Sequence, residues 1–411
     1  MEVINKRCCG LDVHKERVVA CLMIREGGKV LKEVRTFLTM TLDLVVLSDW
    51  LKAHGVTHVA MESTGIYWRP VFNLLEDDFT VLLVNAAHIK TVPGRKTDVK
   101  DCEWIADLLS HGLLRGSFIP PEPIRDLRDL TRYRKSLTDE RVREVNRLQK
   151  FLEAANIKLS SVATNVMGAS GRAMLEALTA GNTDPQVLSE LAKGRLRKKL
   201  PELKKALEGR FRSHHRFMVV EILTHLDFLD EAIERVSQEV SSRLAPFSKK
   251  VELMDLIPGI NQRVAEGVLS EMGMDMSCFP TDGHAASWAG LCPGNNESAG
   301  KRKSGRTRKG DRWLRRYLIE AAWGATRQKG SYLSALYYRL VVRRGRKKAI
   351  VAVAHKILII LYHVLKDQAS YRELGPDYFN KLNAVHVQRH HVKRLESLGF
   401  KVILEPLCEA A

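Results

Sequence analysis

Four acidic side chains near the N-terminus have the types and the spacing to hold divalent cations. Asp98 and Asp101 lie three residues apart in KTDVKDCEWIADLL, at the start of a predicted helix, so both carboxylates fall on one helix face. Asp12 and Glu62 each lie at the end of an apolar run that is typical of a buried strand. Converging carboxylates repel one another unless cations, basic groups or water offset the charge, and hard divalent cations take oxygen ligands and act on phosphates. The pattern therefore predicts a two-cation site for nucleic-acid phosphates; the alternative is that Asp98 caps a helix and Asp101 faces water.

A serine beside dense positive charge is the second group of candidate residues. The segment Ser287–Arg316 reads SWAGLCPGNNESAGKRKSGRTRKGDRWLRR, and Ser298 lies in the middle of its glycine-rich loop, close to Lys301. A serine hydroxyl is a weak nucleophile unless a base, a metal or positive charge activates it, so a turn-stabilising or phosphate-binding serine stays open beside a nucleophile. Such charge density next to a glycine loop favours phosphate contact over a solvated charged face. The basic residues of the run are Lys301, Arg302, Lys303, Arg306, Arg308, Lys309, Arg312, Arg315 and Arg316.

The composition of the 411 residues indicates a globular protein with a polyanionic partner. The net charge of +18 and the pI of about 9.6 favour nucleic acid over a membrane surface, and the length predicts two or three domains. The N-terminal residues MEVINKRCCG lack the pattern of a secretory signal, and the apolar stretch 349–365 is interrupted by His355 and Lys356, so we expect no membrane span. Seven scattered cysteines without a CxxC pair indicate reduced thiols, so we expect a cytoplasmic, nucleoid-associated protein.

Short strands and helices alternate around the acidic residues and predict an α/β domain. In chain order we predict three meander strands, a helix, a strand, a helix and a strand, over residues 6–13, 17–24, 29–37, 44–53, 57–61, 67–75 and 79–84. The last run, Val81–Val84, is expected to be a central parallel strand covered on both faces. Three hairpin-linked strands followed by alternating helix and strand is the layout of an RNase H-like domain. Sites in open α/β sheets form at strand ends, where this layout also places Asp12 and Glu62.

The middle of the chain is predicted to be helical and to contain a coiled coil. A linker signal, IPPEP, precedes a long charged helix over residues 125–155, and glycines break residues 160–215 into short helices. A second long helix carries apolar residues at spacings that alternate between three and four, which is a heptad seam. The seam residues are Val219, Ile222, Leu226, Leu229, Ile233, Val236 and Val240. We expect self-association through this seam; packing back onto the first long helix is the alternative.

The C-terminal third is predicted to be mainly helical. The segment DLIPGINQRVAEGVLSEMG has the pattern of a helix-hairpin-helix-like element, whose Pro-Gly turn would present backbone N–H groups to a phosphate. Helices over residues 313–327 and 347–366 are expected to pack under the serine loop. The tail after Leu374 carries little functional information.

Motifs along most of the chain resemble one group of bacterial insertion-sequence transposases. GLDVHK, MESTGIYW, KTDVKD, IPGI and AGLCPGNNESAGKRKSGRTRKGDRWLRR occur in the order seen in DEDD recombinases with an extra catalytic serine, some of which are guided by a bridge RNA that the element encodes. The resemblance covers residues 7–366. It implies an RNase H-like (RuvC-like) domain, a coiled-coil connection and a C-terminal transposase domain that carries the serine.

The resemblance also implies roles for individual residues. The acidic tetrad falls on Asp12, Glu62, Asp98 and Asp101. Many relatives have a serine or threonine pair before Gly-Gly-Lys, whereas this chain reads ESAGK over residues 297–301. The departure leaves Ser298 as the one nucleophile candidate within the motif, with Ser304 as the fallback.

The function expected from these patterns and from the resemblance is that of a DNA transposase or recombinase. The expected cofactor is Mg²⁺, as two ions that Mn²⁺ could replace, and the expected partners are double-stranded element and target DNA, a guide RNA and further copies of the chain in a dimer or tetramer. The alternatives are a metal-dependent junction-resolving nuclease that uses water and a non-catalytic nucleic-acid-binding protein. The predicted divisions are a catalytic domain, a coiled-coil region, a transposase domain and a tail, over residues 1–120, 121–250, 251–374 and 375–411.

Overall fold

The computed structural model describes residues 2–63, 65–85, 101–294, 296–382 and 384–405, with only the backbone at residues 296, 298, 302, 303 and 386. The chain forms two compact units, Met1–Ile119 and Pro120–Ala411. Asp98, one of the four predicted acids, lies outside the described residues. The predicted finer divisions near residues 250 and 374 stay predictions.

Unit 1 is built on a five-stranded mixed sheet. Its strands are β1 (Arg7–Val13), β2 (Arg17–Glu26), β3 (Lys29–Leu38), β4 (His58–Glu62) and β5 (Thr80–Val84). The strand order is β3-β2-β1-β4-β5; β1, β2 and β3 pair antiparallel, whereas β4 runs parallel to β1 and β5 parallel to β4. This order confirms the predicted meander followed by crossover strands, and it is consistent with an RNase H-like domain.

Helices cover both faces of this sheet. Helices α1 (Thr41–Ala53) and α2 (Trp68–Leu75) pack over the side chains of β1 and β4 that include Leu11 and Met61. The opposite face is covered by α3 (Asp101–Ser110). Two ion pairs tie α3 to the meander strands, Arg25 to Asp107 and Lys32 to Glu103. The sheet is therefore the middle layer of the unit, and its strands β1 and β4 carry Asp12 and Glu62.

The prediction of a central strand at Val81–Val84 is wrong, because β5 lies at the edge of the sheet. Val81 and Leu82 are only half-buried, and the free side of the strand is partly covered by an isolated antiparallel bridge from Gly116 to Val84. An apolar run of four residues cannot distinguish a central strand from an edge strand that another segment covers.

Unit 2 is almost entirely helical in its described part. Its α-helices are α4 (Glu122–Ala154), α5 (Leu159–Val162), α6 (Ala169–Thr179), α7 (Pro185–Glu190), α8 (Leu200–Leu207), α9 (Ser213–Leu244), α10 (Ser248–Asp255), α11 (Gln262–Met272), α12 (Asp282–Trp288), α13 (Arg312–Arg327), α14 (Tyr332–Arg344), α15 (Arg346–Asp367), α16 (Tyr378–Leu382) and α17 (Ala384–Glu396). Short 3₁₀-helices cover Gly194–Lys199, Ala245–Phe247 and Met276–Cys278, and a hairpin joins β6 (Asn296–Ser298) to β7 (Lys301–Ser304). The two long helices, the short helices between them and the later helices all match the predicted pattern.

The heptad seam of α9 is buried within one chain. Leu229 and Ile233 pack with Leu137 of α4, and the earlier seam residues pack with Leu148 and Leu152 of the same helix. Every seam residue is buried except Val236, which is partly buried. The two helices therefore form an intrachain antiparallel pair, which is the alternative to self-association. Assembly into a dimer or tetramer stays a prediction, but the seam leaves no exposed apolar stripe for it.

The Pro-Gly turn of the helix-hairpin-helix-like element joins α10 to α11 as predicted, but it faces the interior. Pro258 is buried, and a Cβ at Gly259 would lie 2.1 Å from the Ala321 carbonyl oxygen of α13. The Ile260 N–H donates to the Ile257 carbonyl oxygen. The turn is thus a close helix–helix packing contact, and these observations give no support to the phosphate role expected for it.

Helix α15 supplies the core of the C-terminal part. It is the one helix among the described residues that is long and apolar enough to cross a membrane, yet 56% of its apolar window is buried inside the protein. It packs against α12, α13 and α14, as a core helix does. The first helix of the tail is held by Tyr332, whose ring stacks on Phe379 at 5.2 Å and meets Tyr378 edge-on at 5.2 Å.

Candidate active site

Asp12 and Glu62 lie side by side at the same edge of the sheet. The parallel pairing of β1 with β4 aligns Leu11 with Met61, so the next residue of each strand is Asp12 or Glu62. Strand side chains alternate between faces, and these two share a face with Cys8 and Ala60, which pack against α3. Neighbouring strands are about 4.8 Å apart. The sequence therefore places two carboxylates on one face at the strand ends, as predicted.

Gly10 brings the third acid to this face. A Cβ at Gly10 would lie 2.2 Å from the Cys102 carbonyl oxygen and 2.4 Å from the Ala106 nitrogen, so only glycine lets the first turn of α3 rest on β1. Asp101 is the first residue of α3 and is exposed. The helix thus begins over the part of β1 that precedes Asp12.

The surroundings of Cys102 are consistent with the position of α3 near Asp12. Burial, the Glu103 carboxylate and the Asp12 carboxylate all raise the pKa of the buried Cys102 thiol, in that order of effect. On the solvent side, His14 Nε2 lies 3.1 Å from Asp12 Oδ2, and both side chains are partly exposed. His14 is therefore a basic neighbour that sequence reasoning missed. The available signal was the i, i+2 spacing of Gly10, Asp12 and His14, the last of which directly follows β1.

The donor chemistry of this face fits a hard divalent cation, because carboxylate oxygens are the ligands that such ions prefer. Within the described ranges, no three His, Cys, Asp or Glu side chains lie close enough together to hold one ion in common. Asp12, Glu62 and Asp101 by themselves therefore do not form such a group, and the predicted metal site stays a prediction. The predicted fourth member, Asp98, precedes α3 by only a few residues and lies outside the described ranges.

The predicted serine loop is a two-stranded hairpin, with Ser298 at its tip instead of in the middle of an open loop. Ser298 ends β6 and pairs with Lys301, the first residue of β7. The connecting residues Ala299 and Gly300 have φ values of 52° and 72°, as a two-residue hairpin turn requires. Ala299 is strained there, since left-handed backbone costs an L-residue about 1–2 kcal/mol. The fallback, Ser304, uses its hydroxyl to accept a hydrogen bond from the Arg306 N–H at 3.1 Å.

The base of the hairpin is clamped between α12 and α13. Gly290 and Gly310 touch backbone to backbone, because a Cβ at Gly310 would lie 2.2 Å from the Gly290 nitrogen. Arg315 of α13 donates to the Gly290 carbonyl oxygen at 2.7 Å and to Thr307 Oγ1 at 3.0 Å, so it joins the two arms of the hairpin stem. The hairpin is therefore a projecting element on a rigid stem.

A buried ion-pair network fastens the same stem to the long helix α4. Asp311 caps α13 by accepting from the Trp313 and Leu314 N–H groups at 2.9 and 2.8 Å. Arg132 of α4 donates to both carboxylate oxygens of Glu271 at 2.7 Å and lies 3.4 Å from Asp311. Burial raises the pKa of fully buried Glu271, and Arg132 opposes that rise. Sequence reasoning missed Arg132, because its partners are more than 130 residues away.

The cations around the hairpin divide into two groups. The exposed ones are Lys301, Arg306, Arg308, Lys309 and Arg312, and none of them forms an ion pair with another described residue. The side chains of Arg302 and Lys303 are not described. Arg315 donates to the hairpin stem, and Arg316 forms a bidentate pair with Asp139, so these last two members of the basic run already have partners within the protein.

Comparison with protein families identifies two matching regions. Residues 9–157 match a family model described as transposase, of the DEDD type named for IS110, and residues 251–339 match one described as transposase of the IS116/IS110/IS902 family. These two regions contain every predicted site residue.

Individual relatives cover most of the chain. The transposase for insertion sequence element IS1111A of Coxiella burnetii is 24% identical over 370 residues, which is 88% of this chain and 90% of the relative. The insertion element IS116 uncharacterized 44.8 kDa protein of Streptomyces clavuligerus is 27% identical over 339 residues, covering 72% of this chain and 81% of the relative. Each alignment covers more than two thirds of this chain and of the relative.

Proposed function

The chain belongs to the IS110 family of DEDD insertion-sequence transposases, and on this premise we propose that it exchanges DNA strands through a covalent Ser298–DNA intermediate. Family membership supports a DNA-cleaving and recombining enzyme. The observation that carries the finer proposal is the Gly10 contact, which seats the first turn of α3 on β1 just before Asp12. The hairpin position of Ser298, in a run of exposed cations that form no ion pair with another described residue, supports the covalent step.

The chemistry proposed for Ser298 is attack of its Oγ on a backbone phosphorus. The serine–phosphorus bond forms as the bond to the 3′-oxygen breaks, the serine loses its proton to solvent, and the 3′-oxygen takes one up. A free 3′-hydroxyl then attacks the serine–phosphate bond of another strand and releases the serine. The number of phosphodiester bonds is conserved, so the exchange needs no external energy source.

The basic residues would stabilise the charge that develops on the phosphate. Lys301 is paired with Ser298 across the hairpin, and electrostatic groups fixed in place before reaction are the most effective ones. Mg²⁺ or Mn²⁺, held by Asp12, Glu62, Asp98 and Asp101, would supply further positive charge at the scissile phosphate. His14 would orient the Asp12 carboxylate through their contact at 3.1 Å.

Two parts of the proposal rest on the family resemblance. A guide RNA would select the DNA sites, and at least two copies of the chain would hold two duplexes together. Sequencing of RNA that co-purifies with the protein tests the first part. Light scattering of the protein with and without nucleic acid tests the second.

The decisive experiment is mass spectrometry of a covalent adduct trapped on suicide DNA and digested to peptides. The expected result is a nucleotide on Ser298, which Ser298→Ala abolishes while Ser304→Ala retains it. Ser304→Ala is the matched control, because that hydroxyl already accepts the Arg306 N–H. A nucleotide on Ser304 would move the nucleophile to the other strand of the hairpin, two residue pairs from the turn pair of Ser298 and Lys301. Strand cutting with no protein adduct would favour the junction-resolving nuclease that uses water.

Metal dependence is tested separately on the acidic unit. Asp101→Asn is expected to abolish strand cutting with the fold retained, since it removes one oxygen charge at the start of α3. Cutting that persists after chelation of divalent ions, or in Asp101→Asn, would contradict the metal site. Nucleic-acid binding without any cutting under all metal conditions would favour the non-catalytic alternative.

A further inference from the structure

The turn between α14 and α15 is a basic surface that the proposed chemistry does not use. Residues 321–366 contain ten Lys or Arg and no Asp or Glu, and five of these cations lie within six positions of the turn. The five are Arg343, Arg344, Arg346, Lys347 and Lys348. All five are exposed, and none forms an ion pair with another described residue.

The arrangement of these cations is unfavourable for the protein alone. Arg346, Lys347 and Lys348 occupy the first turn of α15, where no acid is present and where the positive end of the helix dipole disfavours cations. Like charges this close also repel one another. A bound polyanion would offset this repulsion, whereas exposure to solvent alone gives no reason for cations to cluster at this end of the helix.

Apolar and aromatic surface lies directly beside the cations. Tyr338 and Val342 are one turn apart on α14, and they are 61% and 87% exposed. The Tyr338 ring meets the ring of Tyr337 edge-on at 5.4 Å, and Tyr337 in turn meets Trp323 edge-on at 6.0 Å. Trp323 is itself 41% exposed. A supported ring next to cations is the combination that binds unpaired nucleotides, through base stacking and phosphate contact.

We propose that the α14–α15 turn binds a single-stranded segment of nucleic acid, with Tyr338 stacked on a base and the five cations along the phosphates. The partner is defined by its unpaired bases and its phosphate backbone, which DNA and RNA share. A duplex would use the cations but leave Tyr338 without a base face. The inference rests on the proposed function, because strand exchange and guiding both create unpaired segments.

The turn is on the same helix that supports the serine hairpin. Cys292, in the stem before β6, lies with its Sγ 3.8 Å from His355 Nε2 of α15. His355 is nine residues from Arg346, which is about 14 Å along a helix axis. A strand held at the turn would therefore be held close to the stem of the hairpin.

The test measures binding of the full-length Ser298→Ala protein, which removes the proposed nucleophile. The probes are a fluorescein-labelled 20-nucleotide DNA, the RNA of the same sequence and the 20-base-pair duplex, each titrated by anisotropy at several salt concentrations. One variant carries Arg343→Gln, Arg344→Gln, Lys347→Gln and Lys348→Gln. The matched control removes the same charge from an exposed basic segment without aromatic residues, by Arg195→Gln, Lys198→Gln, Lys199→Gln and Lys204→Gln.

The turn variant is expected to lower the slope of log affinity against log salt for single strands by about 2.8, since each lost phosphate contact removes about 0.7. Tyr338→Ala is expected to weaken single-strand binding about 5- to 150-fold, the range for one lost base stack, with the salt slope unchanged and duplex binding within two-fold. Tyr338→Phe keeps the ring and should bind like the parent. If the variants lose binding to the DNA and RNA single strands equally, the surface binds either nucleic acid. If they lose binding to one alone, that nucleic acid is the partner.

Three results would overturn the proposal: equal losses in the turn variant and the control, an unchanged affinity in Tyr338→Ala, or equal loss on duplex and single strand. Vesicles with 30% phosphatidylserine are a fourth probe, and turn-dependent binding to them without single-strand dependence would assign the surface to anionic lipid. The binding measurement does not depend on the Ser298 adduct. Failure of the covalent mechanism is therefore distinguishable from failure of this surface.

Discussion

The contact between Gly10 and α3 gives a sharp test of how the acidic site is built. In Gly10→Ala the new Cβ would start 2.2 Å from the Cys102 carbonyl oxygen, and ordinary contact begins at 3.4 Å. Both neighbouring groups are backbone, so they cannot rotate away as a side chain could. The first turn of α3 must therefore retreat by about 1.2 Å, and it carries Asp101 with it.

Two magnitudes follow from that displacement. Forcing one extra methyl group into a packed core costs about 1–3 kcal/mol of stability. A misplacement of about 1 Å in an active site can cost roughly 100-fold in rate. Asp12 and Glu62 stay in place while Asp101 moves away from them. The cutting rate of the variant should therefore fall by more than its smaller fraction of folded protein explains.

The matched control is Gly116→Ala in the same unit. A Cβ at Gly116 would lie 3.7 Å from Leu82 Cγ, which is ordinary contact. Alanine there is expected to be neutral or slightly stabilising, since glycine in extended structure costs about 0.5–1 kcal/mol relative to alanine. Urea unfolding followed by circular dichroism gives the stability, and strand cutting at a temperature where both variants are folded gives the rate. Equal stability and equal cutting in the two variants would refute the close-approach argument.

Three further outcomes are expected. Leu229→Glu with Ile233→Glu should unfold the helical unit, because charges enter a seam buried within one chain, whereas exposed Phe228→Glu should not; a folded monomer of the double variant by circular dichroism and light scattering would contradict this. Ala299→Gly should relieve the strained turn and slow hydrogen exchange of the hairpin amides by up to about five-fold, or about 1 kcal/mol, and faster exchange would show that the turn is not strained. Burial lowers the pKa of His355, so as the pH falls the unfolded chain takes up a proton on this side chain before the folded chain does, and the free energy of unfolding should decrease below pH 6.5. In urea titrations at pH 5 and 7, His355→Gln should show a smaller decrease.

The sequence alone determined the local elements and the order of the site residues. Short apolar runs separated by turn residues predicted the meander, and the apolar runs that end on Asp12 and Glu62 were enough to predict carboxylates at strand ends. The heptad spacing of α9 was equally clear. These features are local, because they depend on which face of one strand or helix is apolar.

Only the tertiary structure decided what covers each apolar face and where each charge points. The α9 seam could not specify its own partner, and α4 of the same chain covers it. Arg315 and Arg306 belong to one basic run, yet the first joins the hairpin stem and the second faces solvent. Nothing in the sequence indicated that position 10 must be glycine, because the requirement comes from the close approach of α3. The physical reason is that burial and pairing depend on segments far apart in the chain, such as Arg132 and Glu271, which are 139 residues apart and whose meeting no local spacing encodes.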